Sequence, residues 1–538
     1  MNRLYTCLAA ALLAVSAAFG QSRVYTFTDR EAYLAGELCF YSLFCLDGEG
    51  HLSGDEAVAY LELVSADGTG AESKAGLIGG RGSGEFRIPA NLPTGNYRLV
   101  AYTADGELVT GSSRIISVFN SASSARVDGG VEIVANTPEN KLPEASSGDF
   151  SITVKQQSQK GKDLVLYIAN PPADMDLALS VFVEDTMPHE DNASIKAFPV
   201  SGGAAQKIGR ERENEGEIIR GTLTGKAGYL TEAILSSVDS PADIYIGRSD
   251  GLGSVEFNTH NIYGDRELVT ELKLREGDNA RLELVEPFVR PSAGEMPVLR
   301  YGKDITPDLI LRKTALLEGK AIKLDTLLRF LPRRESPLLK SGSIKNYHLD
   351  DYTRFSTIRE ICTEFVPELN FSRQGGRWML RMTKRDATDS RRYTFDNVLV
   401  MMDGVVISDH SMLEDFDAML LEDIDIYTEG VVLGQIPFGG AVNFITRKHY
   451  VTALHFPDNV RVIDFKGVSY PLAYLGAVPE GKDLRPLLYW NPSLLLNKGT
   501  DVRIPITTPQ YSGTFRVVAE GLTSEGLPVR AETWFEVN

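Results

Sequence analysis

Short runs of alternating apolar and polar residues, each closed by a Gly, Pro or Asp turn, recur along this chain at roughly 8–12-residue spacing. Residues 24–118 set the pattern. YTFTDREAYLAGELCFYSLFCLD opens with two strands around a turn at Asp29–Gly36, and AVAYLELVSADGTG runs as a strand into an Asp-Gly turn. GSGEFRIPANLPTGNYRLVAYTADGELV adds two more strands, parted by Pro-Thr-Gly. A period of two puts alternate side chains on opposite faces, so such strands bury one face and pair into sandwiches. The predicted fold class is mainly β: tandem β-sandwich domains plus one small α/β domain.

The N-terminus reads Met-Asn-Arg followed by LYTCLAAALLAVSAAFG and a polar Gln21, a secretory signal peptide over 1–20. Its apolar run is shorter than the ~20 residues a membrane span needs, and Cys7 lies too early for a lipid anchor. Further segments are read as a sandwich over 21–118, a Ser/Ala/Pro-rich linker containing one strand over 119–147, and a second β region over 148–214. A third sandwich covers 215–290, a connector 291–344 with a helix around Lys320–Phe330, the α/β domain 345–455, and a β-rich module 456–538. Lys and Arg number 55 against 73 Asp and Glu, a net charge of −18. That balance argues against nucleic acid and anionic membrane surfaces as partners. Cys39, Cys45 and Cys362 remain after cleavage. On one strand Cys39 and Cys45 share a face roughly 20 Å apart, too far for a disulfide, so all three are expected as buried thiols.

Within 398–448 the order is strand, Asp403-Gly404 turn, short helix, strand, Gly-Gly turn, strand. Val398–Met402 is apolar, LLEDIDIY alternates over Leu420–Tyr427, and Gly439-Gly440 opens AVNFITRK, which contains Thr446. Ser356–Phe365 reads as a short helix with Ser356 as N-cap and Glu360 in its early turns. This series resembles the plug domain of TonB-dependent outer-membrane receptors, with Asp403, Gly404, Gly439, Gly440 and Thr446 at the motif positions. The resemblance implies a protein-binding role for those five residues. The energy-coupling box of such receptors is not recognisable, and only 90 residues follow Lys448, against the barrel that follows a receptor plug.

Other segments resemble known envelope modules. DREAYLAGE followed by GSGEFRIPANLPTGNYRLVAYT is similar to macroglobulin-type domains, without their Cys-Gly-Glu-Gln thioester. EGEIIRGTL with SDGLGSVEF resembles the carboxypeptidase-regulatory-like sandwich. Their succession with LDDYTRF and, at 483–492, DLRPLLYWNP is similar to envelope proteins of the Bacteroidota.

The motif search yields no catalytic, cofactor-binding or metal-ligating residues. His51, His189, His260, His348, His410, His449 and His455 lack metal-ligand spacing. There is no Gly-x-Ser-x-Gly elbow, and Ser42 and Ser180 read as packing residues. The Gly79–Gly84 cluster lacks the Lys-Ser/Thr of a phosphate loop and is expected as a hairpin loop. Asp47–Gly50 reads as a turn, and Glu422, Asp423 and Asp425 as the solvated face of a strand. His189-Glu190-Asp191 is expected as a polar loop. The expected function is a non-enzymatic, exported envelope protein, periplasmic or outer-membrane associated, that binds or scaffolds a protein partner, which includes an outer-membrane β-barrel among its candidates. The alternatives are a plug-like module that occludes or gates a separate barrel, and an exported hydrolase.

Overall fold

The computed structural model describes residues 22–538 apart from 110–112, 143–146, 229, 319–326, 330–343, 386–390, 415, 449–450 and 452–453. The signal peptide, His449 and most of the Lys320–Phe330 helix lie outside the described residues. The chain is mainly β and forms two compact units. One takes residues up to Gly216 with Phe288–Leu331 and Val468–Asn538; the other takes Glu217–Pro287 and Pro332–Gly467.

In the first unit, Arg23–Thr28 pairs antiparallel with Leu38–Leu46, which pairs with Arg81–Arg87. Gly68–Ile78 links that layer to Val58–Ser65, Gly95–Tyr102 and Arg114–Phe119. Cys39, Tyr41, Leu43 and Cys45 face the sandwich core with Leu61, Tyr97 and Ile116. Phe40 and Phe44, on the other face of the same strand, pack with Phe182, Leu487 and Trp490. A strand buried on both faces has no polar side, which is why CFYSLFC is almost continuously apolar. Cys39, Cys45 and Cys362 are free and buried, as expected. Of the Gly79–Gly84 loop, only Gly79 and Gly80 form the turn, both with positive φ; Arg81 onward is strand.

A second sandwich in this unit joins distant parts of the chain. Met175–Glu184 lies between Leu487–Leu496 and Gly513–Thr523, and the latter pairs with Pro528–Val537. Asp163–Ile168 and Val502–Thr507 make the facing layer, with Leu166, Leu177, Val181, Phe515 and Phe535 between. Segments 148–214 and 456–538, expected as separate modules, thus interleave in one sandwich. The connector's helix is Thr306–Leu317, and Leu328–Arg329, expected as helical, pairs as strand with Leu472–Ala473.

The second unit contains a sandwich of Ile218–Thr224, Ser254–Asn258 and Arg281–Leu284 against Ser240–Arg248, Glu232–Ser237, Asp265–Leu272 and Val460–Lys466. Val460–Lys466 therefore belongs here and not to a C-terminal module. The α/β part has a five-stranded sheet ordered Ile344–His348, Leu421–Tyr427, Ala441–Thr446, Leu399–Met402, Val405–Val406. Helix Ile358–Glu364 covers it with Ile358, Ile361 and Cys362. Its N-cap is Thr357, one residue later than expected: the Thr357 hydroxyl accepts from Glu360 N, and Glu360 reaches back to Thr357 N.

Candidate functional site

Three of the five motif residues converge at one corner of the α/β sheet. Asp403 and Gly404 join Met402 to Val405 in a two-residue hairpin, with φ of +47° and +79°. A turn needing positive φ at both central positions favours Asp-Gly. The buried Asp403 carboxylate accepts from Thr446 N at 2.7 Å through Oδ1 and from the Thr446 hydroxyl at 2.7 Å through Oδ2. Val451 N donates to the same Oδ2 at 3.2 Å, and Gly404 N donates to Asn443 Oδ1 at 3.0 Å.

Gly439 and Gly440 stand at the opposite end of strand Ala441–Thr446. A Cβ on Gly439 would lie 2.4 Å from the Phe395 ring; one on Gly440 would lie 2.5 Å from Met382 Sδ and 2.7 Å from Tyr427 O. The geometry of all five thus serves close backbone approach and internal hydrogen bonding. The neighbouring acidic residues alternate as expected: Asp423 takes His348 Nδ1 at 2.9 Å and Asp425 takes Asn346 Nδ2 at 2.8 Å, while Ile424 and Ile426 are buried.

The second unit also holds a cavity of about 310 Å³ lined by Glu271, Trp378, Ser408 and His410. Lys273 donates to Ser408 Oγ and, at 2.7 Å, to Glu271, whose other oxygen accepts from Ser408 at 2.7 Å. Serine beside lysine is the pattern of a nucleophile with an amine base. Here, however, Ser408 accepts from Lys273 and donates to Glu271, so its hydroxyl is engaged on both sides. His410 Nδ1 accepts from Leu380 N at 3.0 Å, and burial lowers its pKa to about 4, so the ring is neutral.

In the first unit, a cavity of about 650 Å³ is lined by Asp185, Asp308, Arg312 and Tyr511 among others. Arg312 bridges Glu37 and Asp185; burial pushes Asp185 up to about 6 against the pull of Arg312. Among the described residues no group of three or more His, Cys, Asp or Glu is placed to hold a metal ion. His189 lies in a loop, as expected, and its side chain is buried in a 2.9 Å pair with Glu184. Burial alone would lower its pKa, but the Glu184 hydrogen bond and the charges of Glu31 and Glu184 carry it to about 9. The sequence signal was indirect: Glu184 closes an apolar strand five residues earlier.

One end of this unit presents exposed apolar side chains: Ile78 ends strand Gly68–Ile78, Leu495 is the penultimate residue of strand Leu487–Leu496, and Leu527 lies in the connection before Pro528–Val537. Ile78 is 63%, Leu495 71% and Leu527 59% exposed. Ile78 is in register with Arg81, and the Arg81 guanidinium reaches Asp176 at 2.9 Å. Asp176 is in register with Leu495 on one side and Leu522 on the other, and Leu527 closes the turn after Leu522.

The fold defines a mainly β protein of tandem sandwiches with one small α/β part. No family model matches the chain, and no curated protein does. Among solved structures it is similar to a Salmonella alpha-2-macroglobulin reacted with methylamine, at 10% identity and TM-score 0.25, over 96% of this chain and 40% of that one. A trypsin-activated alpha-2-macroglobulin from Escherichia coli matches at 8% identity and TM-score 0.25, over 96% and 41%. A Yersinia pseudotuberculosis adhesin matches at 12% identity and TM-score 0.15, over 49% and 59%. The chain spans about two fifths of the length of the macroglobulins it matches. Among the described residues no helix is long and apolar enough to cross a membrane, which leaves β-barrel spans unaddressed.

Proposed function

We propose that this is a non-enzymatic, exported protein of the cell envelope that binds or scaffolds a protein partner in the periplasm or at the outer membrane. The observation carrying the reading is the end of the first unit, where Ile78, Leu495 and Leu527 are exposed at or beside strand ends and the Arg81–Asp176 ion pair joins two of the strands. Large apolar side chains at strand ends suit a shallow apolar groove on a partner, because a paired backbone loses little conformational entropy on docking. Ser408, engaged on both sides by Lys273 and Glu271, fits a structural role at the cavity it lines. The macroglobulin-like, carboxypeptidase-regulatory-like and plug-like resemblances fit a series of spacer and binding modules.

Photo-cross-linking from positions 78, 495 and 527 in intact cells, followed by mass spectrometry, tests the reading. One dominant protein partner is expected, with its yield cut at least about tenfold, or about 1.4 kcal/mol, by joint Ile78→Asp and Leu527→Asp substitution. Equal, scattered cross-links from these sites and from control surface positions would defeat it.

A further inference from the structure

Alternation along Val58–Ser65 and Gly95–Tyr102 sends Leu61, Leu63, Tyr97 and Leu99 into the core of the first sandwich. The same period of two puts Tyr60 and Glu62 of one strand beside Asn96, Arg98 and Tyr102 of the other on the opposite face. A face of that composition suits water, yet all five residues are buried. What covers them is the chain itself, in residues 288–297. That strap is neither helix nor strand and makes no backbone–backbone hydrogen bond among the described residues.

Side chains of the sheet hold its main chain instead. Val289 N donates to Glu62 Oε1 at 3.1 Å and to the Tyr102 hydroxyl at 3.0 Å, and Arg290 N donates to both Glu62 oxygens at 3.0 and 3.1 Å. Further along, Arg98 donates to Ala293 O at 2.7 Å and to Glu295 O at 2.8 Å, and Asn96 Nδ2 donates to Pro297 O at 3.1 Å. Arg290 takes φ of +50°, in the left-handed region that bulky residues rarely adopt, and its amide is held there by Glu62. A carboxylate for consecutive N–H groups and a guanidinium for carbonyls make a clamp for main chain. Every non-proline residue offers those groups, so the clamp itself reads no sequence. Selection falls to three positions: Phe288 stands edge-on to Tyr60 at 5.9 Å, Arg290 faces Glu72 at 3.8 Å, and Ala293 is buried, where only a small side chain fits.

We infer that this face is a peptide-binding groove occupied in cis by residues 288–297, and that an extended segment of a protein partner takes their place. The partner segment carries an aromatic residue, a cation two positions on and a small residue three further. Main-chain bonds supply its affinity and the three side chains its selectivity, the division of labour seen in strand addition. The strap is suited to leave, because no ladder of backbone bonds holds it and Arg290 relaxes on release. In cis it competes at an effective concentration on the order of millimolar, which keeps weak, unrelated peptides out.

The probe is a fluorescein-labelled synthetic peptide of residues 288–297, titrated against the full chain by anisotropy. Phe288→Ser with Ala293→Asp weakens the strap and leaves the groove residues untouched. The peptide is expected to bind this double variant at least about tenfold more tightly than the unaltered chain, and to lose at least about tenfold when Glu62→Gln is added. Absence of binding to the double variant up to about 1 mM, or binding that Glu62→Gln does not weaken, would overturn the inference. Hydrogen exchange in the unaltered chain decides even where the double variant fails to fold. The Val289 and Arg290 amides are expected to exchange at least about tenfold faster than those of Leu61 and Leu63; equal rates would mean that the strap leaves only on global unfolding, and would overturn the inference as well. None of these results involves Ile78, Leu495 or Leu527, so this inference and the reading above fail separately.

Discussion

Asp403 and Thr446 lie 43 residues apart and are bonded twice, through the Thr446 amide and hydroxyl, each at 2.7 Å. The pair ties the first hairpin of the α/β sheet to the end of its central strand, and Val451 N joins the same carboxylate. A carboxylate buried against three donors organises the backbone around it in the way an N-cap or oxyanion site does, with the anion supplied by the fold itself.

Asp403→Ala is therefore expected to destabilise the second unit by about 3–5 kcal/mol, because buried donors lose a charged acceptor. Thr446→Val, which removes only the hydroxyl bond, is expected to cost about 1–3 kcal/mol. Urea unfolding of the two variants measures both; a loss from Asp403→Ala no larger than that from Thr446→Val would contradict the lock.

Gly440 has no positive φ to protect, so its role is purely one of space. Gly440→Ala would place a methyl 2.7 Å from the Tyr427 carbonyl oxygen, a backbone atom that cannot swing aside. The expected loss is about 1–3 kcal/mol, the usual cost of overpacking. Reducing the neighbour with Met382→Ala should restore little of it, since the backbone contact remains, and thermal unfolding of the double variant decides between the two obstacles.

Local chemistry made part of this legible in the sequence. The two-sided burial of Leu38–Leu46 follows from its continuous apolarity, and the Asp403-Gly404 hairpin from its turn residues. The helix cap was available too: counting three residues back from Glu360 reaches Thr357, not Ser356. What could not be read is the pairing of Met175–Glu184 with strands more than 300 residues later, because alternation specifies which face is buried and not which strand lies alongside.

His189 and His410 give the two units opposite pH responses. His189 titrates near 9 in the folded protein against about 6.5 when unfolded, so its contribution is complete below about 6.5 and lost as pH rises through 9. His410 titrates near 4, so its contribution is complete above about 6.5 and lost as pH falls through 4. Each is worth on the order of 3 kcal/mol. Hydrogen exchange across pH 4–9 should show the first unit loosening at the alkaline end and the second at the acid end. His189→Gln should flatten only the first slope.

Arg485 is the most heavily engaged buried cation in the described chain's last segment, and it predicts a non-additive pair. It donates to both oxygens of Asp483 at 2.8 and 2.7 Å, to the Tyr474 hydroxyl at 2.7 Å, and to the carbonyls of Gly476, Ala477 and Thr507. It is fully buried, and Trp490 further along the same segment stacks on Phe27 at 5.8 Å. Arg485→Ala leaves the Asp483 carboxylate buried without its counter-charge, at a cost of about 3–5 kcal/mol. Arg485→Lys recovers little of this, because a single ammonium cannot span a carboxylate, a phenol and three carbonyls at once. Arg485→Met combined with Asp483→Leu removes the stranded charge as well as the cation, so the double variant is expected to be more stable than Arg485→Ala. Urea unfolding of these variants and of the single Arg485→Met and Asp483→Leu substitutions checks the order; a double variant as unstable as the sum of its single substitutions would mean that the carbonyl contacts, and not the ion pair, hold this segment in place.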